Sequence, residues 1–398
     1  MSSRLIIINS CVILVLGLLS IDFYNPALPE IKITLDISDS QTQKMVVWYL
    51  IGFAVSQLIY GPMSDKYGRV PIILLSLFLA AIGNYLTSTA ESYHALSVFR
   101  LFTGFGAGGC PVISRAILSD TFRDKVELSK SLAVFSMASQ VSPALAPIIG
   151  GYITAYLPWR YNFLALATIM FLGLFFVKVT LPETAPKKTI SEGRIAGFII
   201  LLSDMKFGVY SVVSAVLFAM TIGYFTASPF VFQRQFHLSP EQNGYLFIVY
   251  SCGIVMGSWI TKKLLTYITP EKILRVSLPL LVVVTLSAFL AVQYTTLLSV
   301  GFIVIYSFAV GLGCGLSSPL LLSISLHGYA GLAGTGSALQ GALKMAGAAL
   351  VLWFFASGHT GTALGLLSAL LILSLVCFAL IALTQFLTSR VHQQSSLD

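Results

Sequence analysis

Three ionisable residues stand inside apolar stretches where a charge is costly: Asp22, Arg100 and Lys344. Such groups are rare within hydrocarbon and usually functional. Asp22, in Ile21-Asp-Phe-Tyr-Asn-Pro26, is the one carboxylate well inside an apolar run. Desolvation disfavours the charged form of a carboxyl, so Asp22 has the makings of a protonatable switch. Arg100 lies about five residues from the end of its run, roughly 8 Å deep at the helical rise. Asp22 lies about six residues from the end of its own, roughly 9 Å by the same rise. At matching depth the two can share a water-lined site in which Arg100 favours ionised Asp22. Lys344 is about twelve residues into its run, roughly 18 Å, too deep to snorkel easily. It could meet an anionic group of a ligand or balance Asp22 across a cavity. The plainer alternatives are a structural partner for a nearby base at Asp22, an arginine snorkelling to the interface, and a lysine bonded to neighbouring backbone. Tyr24, Asn25 and Tyr49 join Lys344 as candidate ligand contacts. No catalytic group and no metal site is expected, since no cysteine pair has metal-ligand or redox spacing.

The elements that must position these residues are long and apolar. Of 398 residues, 57% are hydrophobic and only 10% charged, which excludes a soluble domain. A bilayer-spanning helix needs about 20 predominantly apolar residues, and twelve such runs are legible: 5–28, 45–63, 72–90, 95–119, 129–156, 161–181, 207–232, 244–265, 273–293, 297–323, 332–356 and 360–386. They are continuously apolar rather than alternating, which excludes a barrel. The first is expected to be a retained span rather than a signal peptide, lacking a small-x-small cleavage site. The five cysteines fall in different runs and read as small packing residues. Net charge is +8, but the basic residues, among them Lys66, Arg69, Arg123, Lys187, Lys262 and Arg390, gather at one set of helix ends. Lys32, Lys44, Arg160 and Arg234 fall at the other. The positive-inside bias places the first set, and both termini, in the cytoplasm. The basic excess is a topology signal, not a nucleic-acid footprint.

Punctuation divides the runs. The longest polar segment, 182–206, separates an N-terminal six-helix bundle (1–181) from a C-terminal one (207–398). Within it 195–202 is apolar but too short to cross, and reads as a helix lying at the cytoplasmic interface. The polar stretch Gly61-Pro-Met-Ser-Asp-Lys-Tyr-Gly-Arg-Val-Pro71 reads as a turn between spans two and three, with Gly61 and Gly68 serving the turn. In span five, Pro143, Pro147, Gly150 and Gly151 should interrupt helical bonding or permit close approach, as Gly104 and its neighbouring glycines do in span four. The halves show one internal match, Asp22-Phe-Tyr-Asn-Pro26 against Phe225-Thr-Ala-Ser-Pro229. It sets Asp22 opposite Phe225, so the carboxylate belongs to one half only.

The pattern Gly-x-x-x-Asp-x-x-Gly-Arg at Gly61–Arg69 resembles the loop between spans two and three of major facilitator superfamily transporters. Asp22-Phe-Tyr-Asn-Pro-Ala-Leu-Pro29, Tyr49-Leu-Ile-Gly-Phe-Ala-Val-Ser-Gln-Leu-Ile-Tyr-Gly-Pro62, Arg100-Leu-Phe-Thr-Gly-Phe-Gly-Ala107 and Ala146-Pro-Ile-Ile-Gly-Gly151 are similar to motifs of the bicyclomycin-resistance type of drug:proton antiporters. Leu181-Pro-Glu-Thr184, Ser228-Pro-Phe-Val231 and Ala333-Gly-Thr-Gly-Ser-Ala338 fit later positions. Two residues depart from the pattern: Thr103 stands where the family has glutamine, and Lys344 where an uncharged residue is expected. The resemblance implies a latch in which Arg69 pairs with Asp120 while Asp65 faces the N-terminus of span eleven, where a negative charge is favoured.

The expectation is an all-α membrane protein of two pseudo-symmetric six-helix bundles, multi-pass in a bacterial cytoplasmic (inner) membrane, and a monomer. Its function would be proton-coupled export of small amphipathic compounds, with Asp22 and Arg100 coupling the proton. The alternative is a carrier of an anionic metabolite or siderophore-like ligand, suggested by Lys344. No cofactor beyond the proton gradient is expected, since no Gly-x-x-x-x-Gly-Lys-Ser/Thr loop is present. His-Glu-x-x-His and Gly-x-Ser-x-Gly are absent, which argues against an enzyme. The partners are substrate, protons and lipid.

Overall fold

The computed structural model describes residues 3–122, 124–185, 194–294, 299–326, 329, 333–356 and 361–394. Among them twelve helical segments are long and apolar enough to cross a bilayer. Spans one to six are Ser3–Leu35, Asp39–Tyr67, Arg69–Ser88, Tyr93–Thr121, Lys130–Tyr156 and Arg160–Thr180. Spans seven to twelve are Met205–Gln235, Pro240–Leu264, Pro270–Tyr294, Val300–Ser325, Thr335–Ala356 and Ala363–Thr384. They coincide with the twelve apolar runs, mostly starting a few residues earlier because capping residues and a polar first turn precede the apolar stretch. In span two Ser38 and Gln41 form a reciprocal capping box, which satisfies backbone donors that a helix start leaves orphaned. No strand occurs among the described residues, as hydrocarbon demands of backbone that must bond within its own segment.

The interruptions matter most. Span one is helical over Ser3–Asp22, becomes a short 3-10 turn at Asn25–Ala27, and resumes as Leu28–Leu35. Pro26 and Pro29 lack the N–H that a continuous helix would use, so the break falls immediately after Asp22. The stretch at Gly61–Pro71 is not the loop expected. The helix runs through to Tyr67 and restarts at Arg69, leaving one residue, Gly68, as the corner. Gly68 has φ +101°, a region open to glycine and costly for other residues. In span five the helix breaks at Gln140, ahead of Pro143, whereas Pro147 is carried inside the second piece. Span seven ends in a π-turn at Val231–Gln235, just after Pro229.

The two halves repeat one packing scheme. In the first, a Cβ added to Gly52 would strike the Leu101 carbonyl and Phe105 N, one on Gly104 the Tyr49 carbonyl, and one on Gly106 the Ala80 backbone. In the second, Gly253 faces the Phe308 carbonyl and Leu312 N, Gly311 the Tyr250 carbonyl, and Gly313 the Leu281 side chain. The displacement along the chain is constant within each pair of related spans. Polar pairs follow suit: Ser76 Oγ meets Cys110 Sγ at 3.8 Å, and Ser277 Oγ meets Ser317 Oγ at 2.8 Å. Asn84 donates to Met170 Sδ at 3.4 Å, while Thr285 Oγ1 meets Ser374 Oγ at 2.8 Å. Small residues let backbones approach where no water drives association. Arg100 of the first half corresponds in this register to Ser307, so the buried guanidinium, like Asp22, has no charged counterpart in the second.

By contact density the chain forms two units: Met1–Glu192 with Phe225–Ile248 and Leu352–Gly358, and Gly193–Tyr224 with Val249–Val351 and His359–Asp398. The first therefore includes the ends of spans seven, eight and eleven that lie away from the basic helix ends. In the second unit the short apolar stretch forms a helix, Arg194–Ser203. Its Leu201 packs with Phe207 and Leu339, while Ile199, Ile200 and Leu202 are exposed. Of the cysteines, Cys110, Cys314 and Cys377 are buried as expected, whereas Cys252 is exposed; it faces out of its helix rather than into a contact.

Candidate functional site

Asp22 is 3% exposed and closes the first helix of span one, one residue before the chain leaves helical geometry. Its Oδ1 has no hydrogen-bond partner. Arg100, in span four, is fully buried. Its Nη2 donates to the Ser20 carbonyl at 2.9 Å and to Tyr24 Oη at 3.0 Å, while Nε and Nη1 have no hydrogen-bond partner. The guanidinium lies between two rings, with Cζ 4.5 Å from the Tyr24 centroid and 4.4 Å from that of Tyr49; Phe163 stands at 5.6 Å. A planar, weakly hydrated cation suits such a sandwich. The expected proximity of Asp22 and Arg100 is realised through span one, but no ion pair joins them within 4.0 Å; the rings and the Ser20 carbonyl hold the guanidinium instead. The result is a buried carboxyl and a buried cation, each with unspent hydrogen-bonding capacity, beside a break in the helix that carries the carboxyl.

The candidate ligand contacts are placed around this pair. Tyr24 and Tyr49 are fully buried and already committed to Arg100, and Tyr49 Oη also donates to the Gly17 carbonyl at 3.0 Å. Asn25, in the 3-10 turn, is buried with neither side-chain nitrogen nor oxygen bonded. Thr103 does not serve Arg100; its Oγ1 donates to the Phe99 carbonyl at 2.7 Å, and the rings take the place of a polar side chain there. Lys344 belongs to the other unit, half-buried, its Nζ 4.8 Å from the Phe218 centroid. Phe163 and Ser20 were not singled out from sequence, because nothing local marks which face of spans one and six meets span four.

Backbone contacts hold the arrangement in register. A Cβ on Gly150 would strike the Phe23 carbonyl, between Asp22 and Tyr24, and one on Gly104 the Tyr49 carbonyl. Gly151 and Gly244 are reciprocal: a Cβ on either would come within 2.7 Å of a proline carbonyl, Pro240 or Pro147. Gly61 differs from these, since an added methyl meets only Val112 Cγ1 at 3.5 Å, ordinary contact.

On the basic side Arg69 organises a second cluster. Its Nε bonds Asp120 Oδ2 at 2.8 Å, and its Nη1 bonds Asp65 Oδ1 at 2.5 Å and Ser64 Oγ at 2.8 Å. The Arg69–Asp120 pairing implied by resemblance is thus present, and Asp65 is turned onto the same guanidinium. Glu183, which sequence reasoning passed over although it sits in Leu181-Pro-Glu-Thr184, completes the cluster. Its carboxylate accepts from Arg69 N at 2.8 Å and Val70 N at 3.1 Å. It thereby caps span three, neutralising orphan donors at the positive end of that helix. Partial burial works to raise the Glu183 carboxyl, but hydrogen bonds from the Ala185, Arg69, Val70 and Thr184 N–H groups outweigh it and hold it below the usual range. A lowered folded value means that the cap stabilises fully above the ordinary glutamate range and is lost as pH falls through that value. Glu183→Gln is therefore expected to destabilise the protein at neutral pH by about 1 kcal/mol or less given its exposure, read as a lower thermal midpoint. It should also flatten the acid loss of stability; an unchanged midpoint and an unchanged acid profile would remove Glu183 from the latch.

Comparison with known proteins agrees with this geometry. The sequence matches the Major Facilitator Superfamily over residues 10–352. It is 30% identical to an uncharacterized MFS-type transporter of Bacillus subtilis (strain 168), covering 83% of each chain. It is 28% identical to a bicyclomycin resistance protein homolog of Haemophilus influenzae, covering 95% of this chain and 96% of the relative. Among solved structures, a bacterial homolog of the human lysosomal transporter Spinster, inward-facing and unoccupied, superposes with a TM-score of 0.75 at 16% identity over 98% of each chain. Twelve apolar spans in two repeated halves, with a family match running through both, place this chain in the Major Facilitator Superfamily, whose members carry small molecules across membranes.

Proposed function

We propose that the chain is a proton-driven exporter of small amphipathic compounds. The observation that carries the reading is Asp22: a buried carboxyl with an unbonded oxygen at a helix break, beside a buried arginine. The name of the Haemophilus relative, a bicyclomycin resistance protein homolog, supports export of antibiotic-like molecules. In this reading Asp22 takes a proton from outside and releases it inside, while Arg100, held by its ring sandwich, stabilises the ionised form when the break rearranges. Tyr24, Asn25 and Tyr49 become substrate contacts once rearrangement exposes them. The Arg69 cluster is a latch made in one state and broken in the other: Arg69 is buried and its two carboxylate partners are largely covered, so leaving one partner behind without water would be costly. The clustered basic residues support placing those ends, and both termini, in the cytoplasm of a bacterium. Protein reconstituted in liposomes with a pH-sensitive dye inside, challenged with a panel of cationic, neutral and anionic amphipaths, tests this. Compound-dependent proton movement is expected, and a panel that moves no protons against an imposed gradient would overturn it.

Lys344 supports a narrower second reading, an anionic ligand. Lys344→Gln is then expected to weaken binding of anionic compounds and spare neutral ones, as read by ligand titration of purified protein. Equal loss across both classes would assign the lysine to folding.

A further inference from the structure

Away from the basic helix ends, span one, span two and the end of span seven meet in one unit. Asp39, at the first turn of span two, bonds Lys32 Nζ at 2.8 Å and Arg234 Nη1 at 2.9 Å. Arg234 is carried by the π-turn Val231–Gln235, and its neighbour Gln233 donates to the Pro26 carbonyl at 2.8 Å. Pro26 lies in the 3-10 turn that follows Asp22. A π-turn adds a residue to a helical turn and re-aims side chains; here consecutive residues grip both pieces of the interruption, one the polar turn and the other the charged start of span two. The three charged side chains are 30% to 36% exposed, so the pairs are screened and breakable rather than permanent.

We propose that Asp39, shared between Lys32 and Arg234, is a positioning residue for the transport cycle: it clasps the end of span seven to spans one and two, and its release lets that end leave the unit. Gln233 makes the clasp continuous with the turn beside Asp22, so that the two move together. The inference rests on family membership and alternating exposure of the two sides, not on proton coupling, and the two can fail separately.

Asn243 supplies a reporter. It is fully buried in the same unit, near the start of span eight, with both side-chain polar atoms unbonded. A cysteine introduced there by Asn243→Cys, in full-length protein whose native cysteines are replaced, would react with a water-soluble maleimide only when the region opens. Asp39→Asn and Arg234→Gln are each expected to raise the labelling rate roughly two- to fivefold, the scale of exposed ion pairs. Arg234→Lys, which keeps the charge, should retain the slow rate. With the clasp intact, raising salt from about 0.02 to about 0.5 M should speed labelling by screening the pairs. Rates unchanged in Asp39→Asn and Arg234→Gln would overturn the proposal, as would Arg234→Lys labelling as fast as Arg234→Gln. If the substitutions prevent folding, the salt series decides, and a rate flat across it overturns the clasp.

Discussion

Asp22→Asn is expected to abolish proton release on substrate binding in detergent-solubilised protein, while leaving binding itself measurable. The amide keeps the size and shape of a protonated carboxyl but has no proton to give. Asp22 is 3% exposed, and an ionised carboxylate so enclosed is tolerated only with compensation. Arg100 is the nearby cation, yet it makes no ion pair with Asp22, being held by the Ser20 carbonyl and the Tyr24 and Tyr49 rings. In the proposed cycle proton loss is therefore coupled to rearrangement at the break, as a proton-driven carrier requires. Binding by the unaltered protein should vary with pH as the carboxyl changes state, and this variation should vanish in the variant. Uphill transport driven by a pH gradient should disappear with it. Undiminished proton release in Asp22→Asn would mean that the proton travels elsewhere.

A second large effect is expected from a single methyl. Gly150→Ala places a Cβ against the Phe23 carbonyl, backbone against backbone, where no rotamer change gives relief. Overpacking of this kind costs about 1–3 kcal/mol, and it falls on the peptide between Asp22 and Tyr24. Gly61→Ala is the control: its methyl finds ordinary contact at 3.5 Å, and alanine gains up to about 1 kcal/mol of helix propensity over glycine. Thermal midpoints from size-exclusion chromatography of heated samples should fall for Gly150→Ala and hold or rise for Gly61→Ala. Equal midpoints would show that span five can withdraw from span one without loss, and the tight crossing would then carry no weight in the site.

Sequence and tertiary structure contributed different parts of this protein. The spans were legible because the bilayer imposes a length and an apolar composition on each helix locally, so each of the twelve could be read without knowing its neighbours. Charge in the loops was legible for the same reason. Asp22 stood out because a carboxylate in apolar surroundings needs explanation wherever it occurs. The corner at Gly68 was misread as a longer loop because polar residues, which usually mark loops, here finish one helix and start the next. What Arg100 touches could not be read, since Ser20, Tyr24, Tyr49 and Phe163 come from three other spans and only packing brings them to one guanidinium. Glu183 lies 114 positions from the Arg69 N–H it caps, and no local pattern connects the two. The repeat was nearly invisible in sequence, because the halves conserve backbone approaches while exchanging the side chains around them, Cys110 for Ser317 and Arg100 for Ser307. Helices in hydrocarbon are specified one at a time by their solvent, whereas their contacts are specified by shape between distant segments; the chain spells out the first and only the folded structure reveals the second.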